Sequence, residues 1–389
     1  MIQLAVLSLS LLTVMSGAAV APALAEIIAF FPNSPALLGK MILTTPALTI
    51  IPVSLLTGFL SSRVSRKKLL YSGIFFYIIG GAGGGTVGSI PLLLAMRAVL
   101  GVGVGILMPL ATGIIADLYS GTEKTRIMGF SSASTNLGAI IATLLSGILA
   151  SLHWRAAFSI YLLGLPVLFL VFAFIPEHHP VTKENDSPRT DQAAGNLARY
   201  GLWGAGMFFV MAAFYTIPVN IALYIVDNGL GDSRMAGLAM ALMTASSFVT
   251  GLGFGRIYTF FGRWLPAMSL AAFSISFFCL SAFPSRVPMM GSLVLNGIGF
   301  GILVPLIMNG VTQKTGRASG TAGTSVVTCF LFAGQFASPV LTEKAAALTI
   351  GSGIQNIFLM LFFFIGAAAL LAAISIPFTR KSQRRSHEK

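Results

Sequence analysis

Charge is what this chain has least of. Only 9% of its 389 residues are charged, against about 25% in soluble domains. Acidic residues number 11, and none are grouped as a pair fit for acid–base catalysis. There is no metal-ligand spacing and no Gly-rich phosphate loop after a strand, so nothing supports an enzyme or a bound cofactor. The two cysteines, Cys279 and Cys329, fall inside apolar runs, which reads as small buried hydrophobes and excludes a disulfide framework. The four histidines, His153, His178, His179 and His387, lie in loops or the tail. Glu177-His178-His179 reads as solvated loop. A net charge of +13 raises the question of nucleic acid, but basic patches interleaved with aromatics are missing.

Long apolar runs are there in quantity, and 56% of the chain is hydrophobic. Runs of about 20 apolar residues are long enough to cross a bilayer as helices. Six are read in the first half: Ile2–Phe31, Leu38–Ser61, Lys68–Val87, Ile90–Ala116, Arg126–Ala150 and Arg155–Ile175. Six follow in the second: Tyr200–Val226, Met235–Ile257, Leu265–Pro284, Val287–Val311, Ser319–Leu341 and Ser352–Phe378. The first run resembles a signal peptide, with AVAPALA before Glu26, but no Lys or Arg precedes it, so it is read as a retained span. The polar stretch Pro176–Arg199 reads as a linker and Thr379–Lys389 as a basic tail. The expected fold is therefore all-α and polytopic, with twelve transmembrane helices. They form two pseudo-symmetric six-helix bundles, residues 1–175 and 200–378, with the linker at 176–199 and the tail at 379–389.

Basic residues set the orientation. With the N-terminus inside, the inner loops and tail hold eighteen Lys and Arg, the outer side five, and Arg97 falls within a span. That bias places both termini in the cytoplasm, in the inner cell membrane.

The halves carry a repeat. At an offset of 196 residues, Gly101, Gly103, Gly105, Ile106, Leu107, Pro109 and Leu110 meet Gly297, Gly299, Gly301, Ile302, Leu303, Pro305 and Leu306. Internal symmetry of apolar helices is the usual mark of a secondary transporter, with its site between the repeats. Arg97 begins this stretch and is the one charge placed well inside a span; such a residue marks a functional site by default. Arg97, Gly101 and Gly105 share one helix face. The glycines leave room for a close helix or a water-filled path, and Pro109 and Pro305 are expected to kink their helices.

The loop GFLSSRVSRKKLL, Gly58–Leu70, resembles the loop signature of the major facilitator superfamily. Gly58, Leu60, Arg63, Arg66, Lys67 and Leu70 match; Ser62 and Ser65 stand where the family has an aspartate and a glycine. A worn copy lies at Gly255–Trp264. The resemblance implies a cytoplasmic gating loop in which Asp117 pairs with Arg63 or Arg66. The Arg97–Gly105 run is similar to that of proton-coupled members. Asn136–Gly147, with Gly138 and Gly147 retained, is similar to the fifth span of the twelve-span drug:proton antiporters, although Ala142-Thr143 replace that family's glycine-proline. Pro22–Ile27 and His153–Arg155 also resemble that family. What this implies is a proton-coupled exporter of small lipophilic compounds. Its partners are a small-molecule substrate, protons and the lipid bilayer, and it acts as a monomer. Uptake or exchange of a small metabolite, and a receptor on the same fold, remain open.

Glu26 is the one acidic residue in the apolar body of the first span. It and Arg97 sit about 7 and 10 Å below the outer surface, which suggests a proton-linked pair, with Asp227 the next candidate. The topology is tested by proteolysis: Pro176–Arg199 is expected to be cut in inside-out vesicles and spared in intact cells.

Overall fold

A computed structural model describes residues 2–175, 190–313 and 316–387, with side chains described over 2–175, 200–311 and 323–374. Residues 176–189 of the expected linker lie outside the described residues, as do the side chains of the basic tail. Among the described residues the regular structure is entirely helical. That is the economical solution in lipid, where each backbone polar group must be satisfied within its own segment.

The described residues fit a twelve-span arrangement. The first half has α1 (Ile2–Phe30), α2 (Ala36–Leu60), α3 (Arg66–Ala82), α4 (Ile90–Leu118), α5 (Gly121–Leu152) and α6 (Trp154–Phe174). The second has α7 (Thr190–Asp227), α8 (Ser233–Phe261), α9 (Leu265–Ala282), α10 (Arg286–Gln313), α11 (Gly316–Thr349) and α12 (Ile354–His387). Ten stretches are long and apolar enough to span by length and composition. One of these, Ser233–Ala282, divides into α8 and α9 at Gly262, whose φ of 50° is left-handed and suits glycine. α3, at 17 residues, completes the set.

Local chemistry explains the boundaries. Asp232 caps α8 by accepting from the amides of Arg234 and Met235. Pro91 sits in the first turn of α4, where its missing N–H costs nothing. α1 breaks after Ala18 into a 3-10 turn at Ala21–Ala23, because Pro22 has no N–H to continue the ladder. Pro109 and Pro305 stay inside continuous helices. Several loops assigned as connections are helical: α7 starts at Thr190 and α11 runs on to Thr349.

The packing repeats between halves. α1 packs on α5, α2 on α4 and α3 on α4; α7 on α11, α8 on α10 and α9 on α10 answer them. Across the molecule α5 meets α8 and α2 meets α11. The repeated glycines make the inner crossings. A Cβ on Gly101 or Gly105 would strike Pro46 or Val53 of α2; one on Gly297 or Gly301 would strike Ser246 or Ser247 of α8. Between a close helix and a water path, the structure has the close helix.

These contacts predict a contrast within one helix. A Cβ on Gly103 would meet the Tyr77 nitrogen at 2.5 Å and the Gly73 carbonyl at 2.7 Å, whereas one on Gly113 meets nothing. Gly103→Ala is expected to destabilise by about 1–3 kcal/mol and lower the unfolding midpoint in detergent. Gly113→Ala should leave it unchanged or raise it.

Candidate functional site

Arg97 is fully buried at 0% exposure, and its partners are all neutral. Nε donates to the Ile42 carbonyl at 3.0 Å. One terminal nitrogen donates to the Tyr161 hydroxyl at 2.6 Å and the other to the Ser16 carbonyl. The Tyr161 hydroxyl donates in turn to Ser16 at 2.9 Å. Two helix irregularities supply these acceptors. Pro46 has no N–H for the carbonyl four residues back, which is that of Ile42. The break after Ala18 ends the regular ladder beside Ser16, and the next carbonyl exposed, Ala19, accepts from Ser146 Oγ at 2.6 Å.

Glu26 does not join Arg97. It accepts a hydrogen bond from the Ser233 hydroxyl at the start of α8, in the other half. Among the described residues the ion pairs are Lys40–Glu343 and Arg66–Asp117, and neither involves Arg97. The direction each side chain takes around the helix separates them. Ser16 and Glu26 are ten residues apart, about 280° around a regular helix, and the helix is interrupted between them. Asp227 is exposed at the end of α7.

A cavity of about 330 Å³ lies between the halves. α1, α2, α4 and α5 line one side, with Thr13, Ser16, Gly17, Ile50, Met108, Asn136 and Thr143. α7, α8, α10 and α11 line the other, with Met211, Phe214, Tyr215, Met240, Met243, Phe300, Phe332 and Gln335. Phe214 and Phe300 stack at 3.6 Å between centroids. The Tyr215 hydroxyl bonds Gln335 and sits against Gly17, where a Cβ would be 2.5 Å away. No lining side chain is ionised. A second cavity of about 410 Å³, between α2, α4 and α11, shares Met108 and Phe332 with the first and includes Pro109. Together they form a path toward the face that carries Arg63, Arg66 and Lys67.

The opposite face is shut by contacts between the halves. Lys40 of α2 bonds Glu343 of α11 at 2.6 Å, with Lys40 only 7% exposed. Arg234 of α8 donates to Ser151 of α5 at 2.8 Å. Beside Glu26–Ser233, Gly147 and Gly237 let α5 and α8 touch backbone to backbone. Gly138 instead packs α5 on Leu11 of α1. Sequence reasoning missed Lys40, Glu343 and Ser233. Lys40 is one of the five outer charges, at the outer end of its run, and the one signal in the sequence is that Glu343 also lies at the outer side of an apolar run.

On the basic face, Asp117 at the end of α4 pairs with Arg66 at the start of α3. Arg63 instead lies over the Phe59 ring at 4.4 Å. Ser62 donates to the Phe59 carbonyl at 2.7 Å, a local cap in place of a charged contact. Gly58 faces open space. The Arg66–Asp117 pair thus ties two helices of the first half, in a structure whose opposite face is closed.

Comparison with known proteins gives concordant findings. The family model described as Major Facilitator Superfamily matches residues 6–339. Multidrug resistance protein 1 of Bacillus subtilis is 23% identical over 71% of this chain and 72% of its own. Quinolone resistance protein NorA of Staphylococcus aureus is 22% identical over 76% of this chain and 77% of its own. Multidrug transporter protein MdtP of B. subtilis is 24% identical over 72% of this chain, and the match spans 46% of that relative's length. Among solved structures, the nucleoside transporter NupG superposes with a TM-score of 0.79 at 12% identity, covering 96% of this chain and 99% of that one. A D-xylose-proton symporter gives 0.73 at 18%, covering 95% and 96%.

Two tyrosines test the Arg97 network. Tyr161→Phe removes an acceptor from a buried cation, which is expected to cost about 1–3 kcal/mol and to lower the thermal midpoint in detergent. Tyr71→Phe deletes a buried hydroxyl with no hydrogen-bond partner, and should leave the midpoint where it is.

Proposed function

The chain belongs to the Major Facilitator Superfamily, a multi-pass membrane transporter and not an enzyme, and we propose that it exports small lipophilic compounds in exchange for protons. The observation that carries this reading is the cavity between the halves, walled by Met and Phe with a few neutral polar groups. Flexible methionines adapt to varied apolar shapes, and that suits a wide substrate range. The names of the multidrug relatives support the same reading. One chain encloses the whole cavity, in keeping with a monomer.

With both termini cytoplasmic, the basic face is the inner one, and the structure is closed outward and open inward. The contacts at Lys40–Glu343, Glu26–Ser233 and Ser151–Arg234 then form the outer gate. Arg66–Asp117 stiffens the inner gating loop, and being half-exposed it contributes about 0–1 kcal/mol. Pro109 lines the inward path, and Gly101, Gly105, Gly297 and Gly301 are the bearings of the rocking halves.

Glu26 is the proton-linked residue in this reading. It faces Ser233, Asp232 and His153 at the seam. When the outer seam opens, its carboxylate meets external water and can take a proton. When the seam is closed, the cavity reaches Ala21, five residues or about 7.5 Å along the helix, which offers the inward route for release. Arg97 holds the break in α1 that sets this geometry.

The test is transport in proteoliposomes under an imposed pH gradient, with a lipophilic fluorescent dye. Dye movement against the proton flow is expected; movement with it would make the protein an uptake system, and none would leave a receptor. Glu26→Gln should abolish gradient-driven transport and keep downhill exchange. Full transport by that variant with unchanged pH dependence would move the proton site elsewhere, Asp227 being next to examine.

A further inference from the structure

We propose that the central cavity selects by charge: it takes neutral or anionic lipophilic compounds and turns organic cations away. This rests on the reading of that cavity as the substrate site. The observation behind it is a charge imbalance. Among the described residues no carboxylate lines the cavity. The described acids lie at helix ends instead: Asp117 and Glu123 on the basic face, and Glu26, Asp227, Asp232 and Glu343 on the closed one.

Arg97, by contrast, is beside the wall. Its guanidinium donates to the carbonyl of Ser16, which is itself a lining residue. Its other acceptors, Ile42 O and the Tyr161 hydroxyl, are neutral dipoles. Dipoles satisfy the hydrogen bonds of a cation without cancelling its net charge. A full positive charge therefore remains beside the cavity wall, set in protein that screens it less than bulk water does. A cationic substrate entering this chamber meets repulsion and finds no counter-ion. A carboxylate or phenolate meets attraction, and a neutral compound meets neither.

The polar groups on the wall fit the same class. The Tyr215 hydroxyl, bonded to Gln335 and placed against Gly17 next to Ser16, brings a neutral polar group to the part of the wall nearest Arg97. Gln335 and Asn136 add neutral amides from opposite halves, the Asn136 amide also donating to the Ser132 carbonyl at 2.9 Å. Methionine and phenylalanine cover the apolar body of the ligand. Two unit charges about 10 Å apart at an effective dielectric of about 20 interact by about 1.7 kcal/mol, which is a difference of more than tenfold in affinity.

The experiment measures equilibrium binding of three naphthalene probes to the full chain in detergent, at neutral pH. They carry a carboxylate, a carboxamide or a trimethylammonium group on one skeleton. The carboxylate and carboxamide are expected to bind at least tenfold more tightly than the ammonium. Gln335→Glu places a carboxylate on the wall and should reverse that order; Asn136→Asp, on the opposite wall, does the same if the first variant does not fold. Ammonium binding to the unaltered chain as tight as carboxylate binding overturns the charge selection. So does a folded acidic variant whose preference is unchanged. Transport of the probes alongside tight cation binding overturns the selectivity alone, whereas no binding and no transport of any probe overturns the cavity as substrate site.

Discussion

A guanidinium without a counter-ion, sealed at 0% exposure, is the constraint around which the first half is arranged. Burying an ion inside a membrane protein is costly unless all its donors are met. Here the acceptors come from three helices at once: α1 through Ser16, α2 through Ile42 and α6 through Tyr161. Two of the three are backbone carbonyls next to a break or a proline. The irregularities in α1 and α2 would be defects in isolation; around Arg97 they are the ligands. Because α1 is held at its break, its final segment is free to turn toward α8 and carry Glu26 across to Ser233.

The two halves share their scaffold and differ in their electrostatics. Gly101 and Gly105 seat α4 on α2 as Gly297 and Gly301 seat α10 on α8. At the place that answers Arg97, the second half has Leu293, fully buried among apolar neighbours. Duplication preserved the close helix crossings, which depend only on the absence of a Cβ. It did not preserve the charge. The polar character of the cavity thus comes from both sides, while its field comes from one.

Much of this was legible in the sequence, and what was not has a physical cause. The twelve spans follow from hydrophobic run length, and the repeat from glycine spacing. Arg97 stood out because a charge in a span is rare. Its acceptors did not, since a carbonyl has no letter of its own; Pro46 and Pro22 were the available signs that carbonyls had been released. Glu26 was given the wrong neighbour, because residue counts carry no facing direction: it meets Ser233 and not Arg97. Lys40 and Glu343 are 303 residues apart, and only their shared position on the outer side of apolar runs links them. The choice of Arg66 over Arg63 for Asp117 depended on a turn in the loop that lays Arg63 on Phe59.

The seam between α5 and α8 has a kinetic consequence. Where Gly147 faces Gly237, the two helices meet backbone against backbone. Parting such surfaces requires no rotamer to be withdrawn and no cavity to be opened stepwise. The friction of the motion is then set by the few polar contacts at the rim, each broken and remade against water. In the proposed alternating access, parting the halves at this face then breaks a handful of hydrogen bonds and one ion pair and does not require repacking of a core.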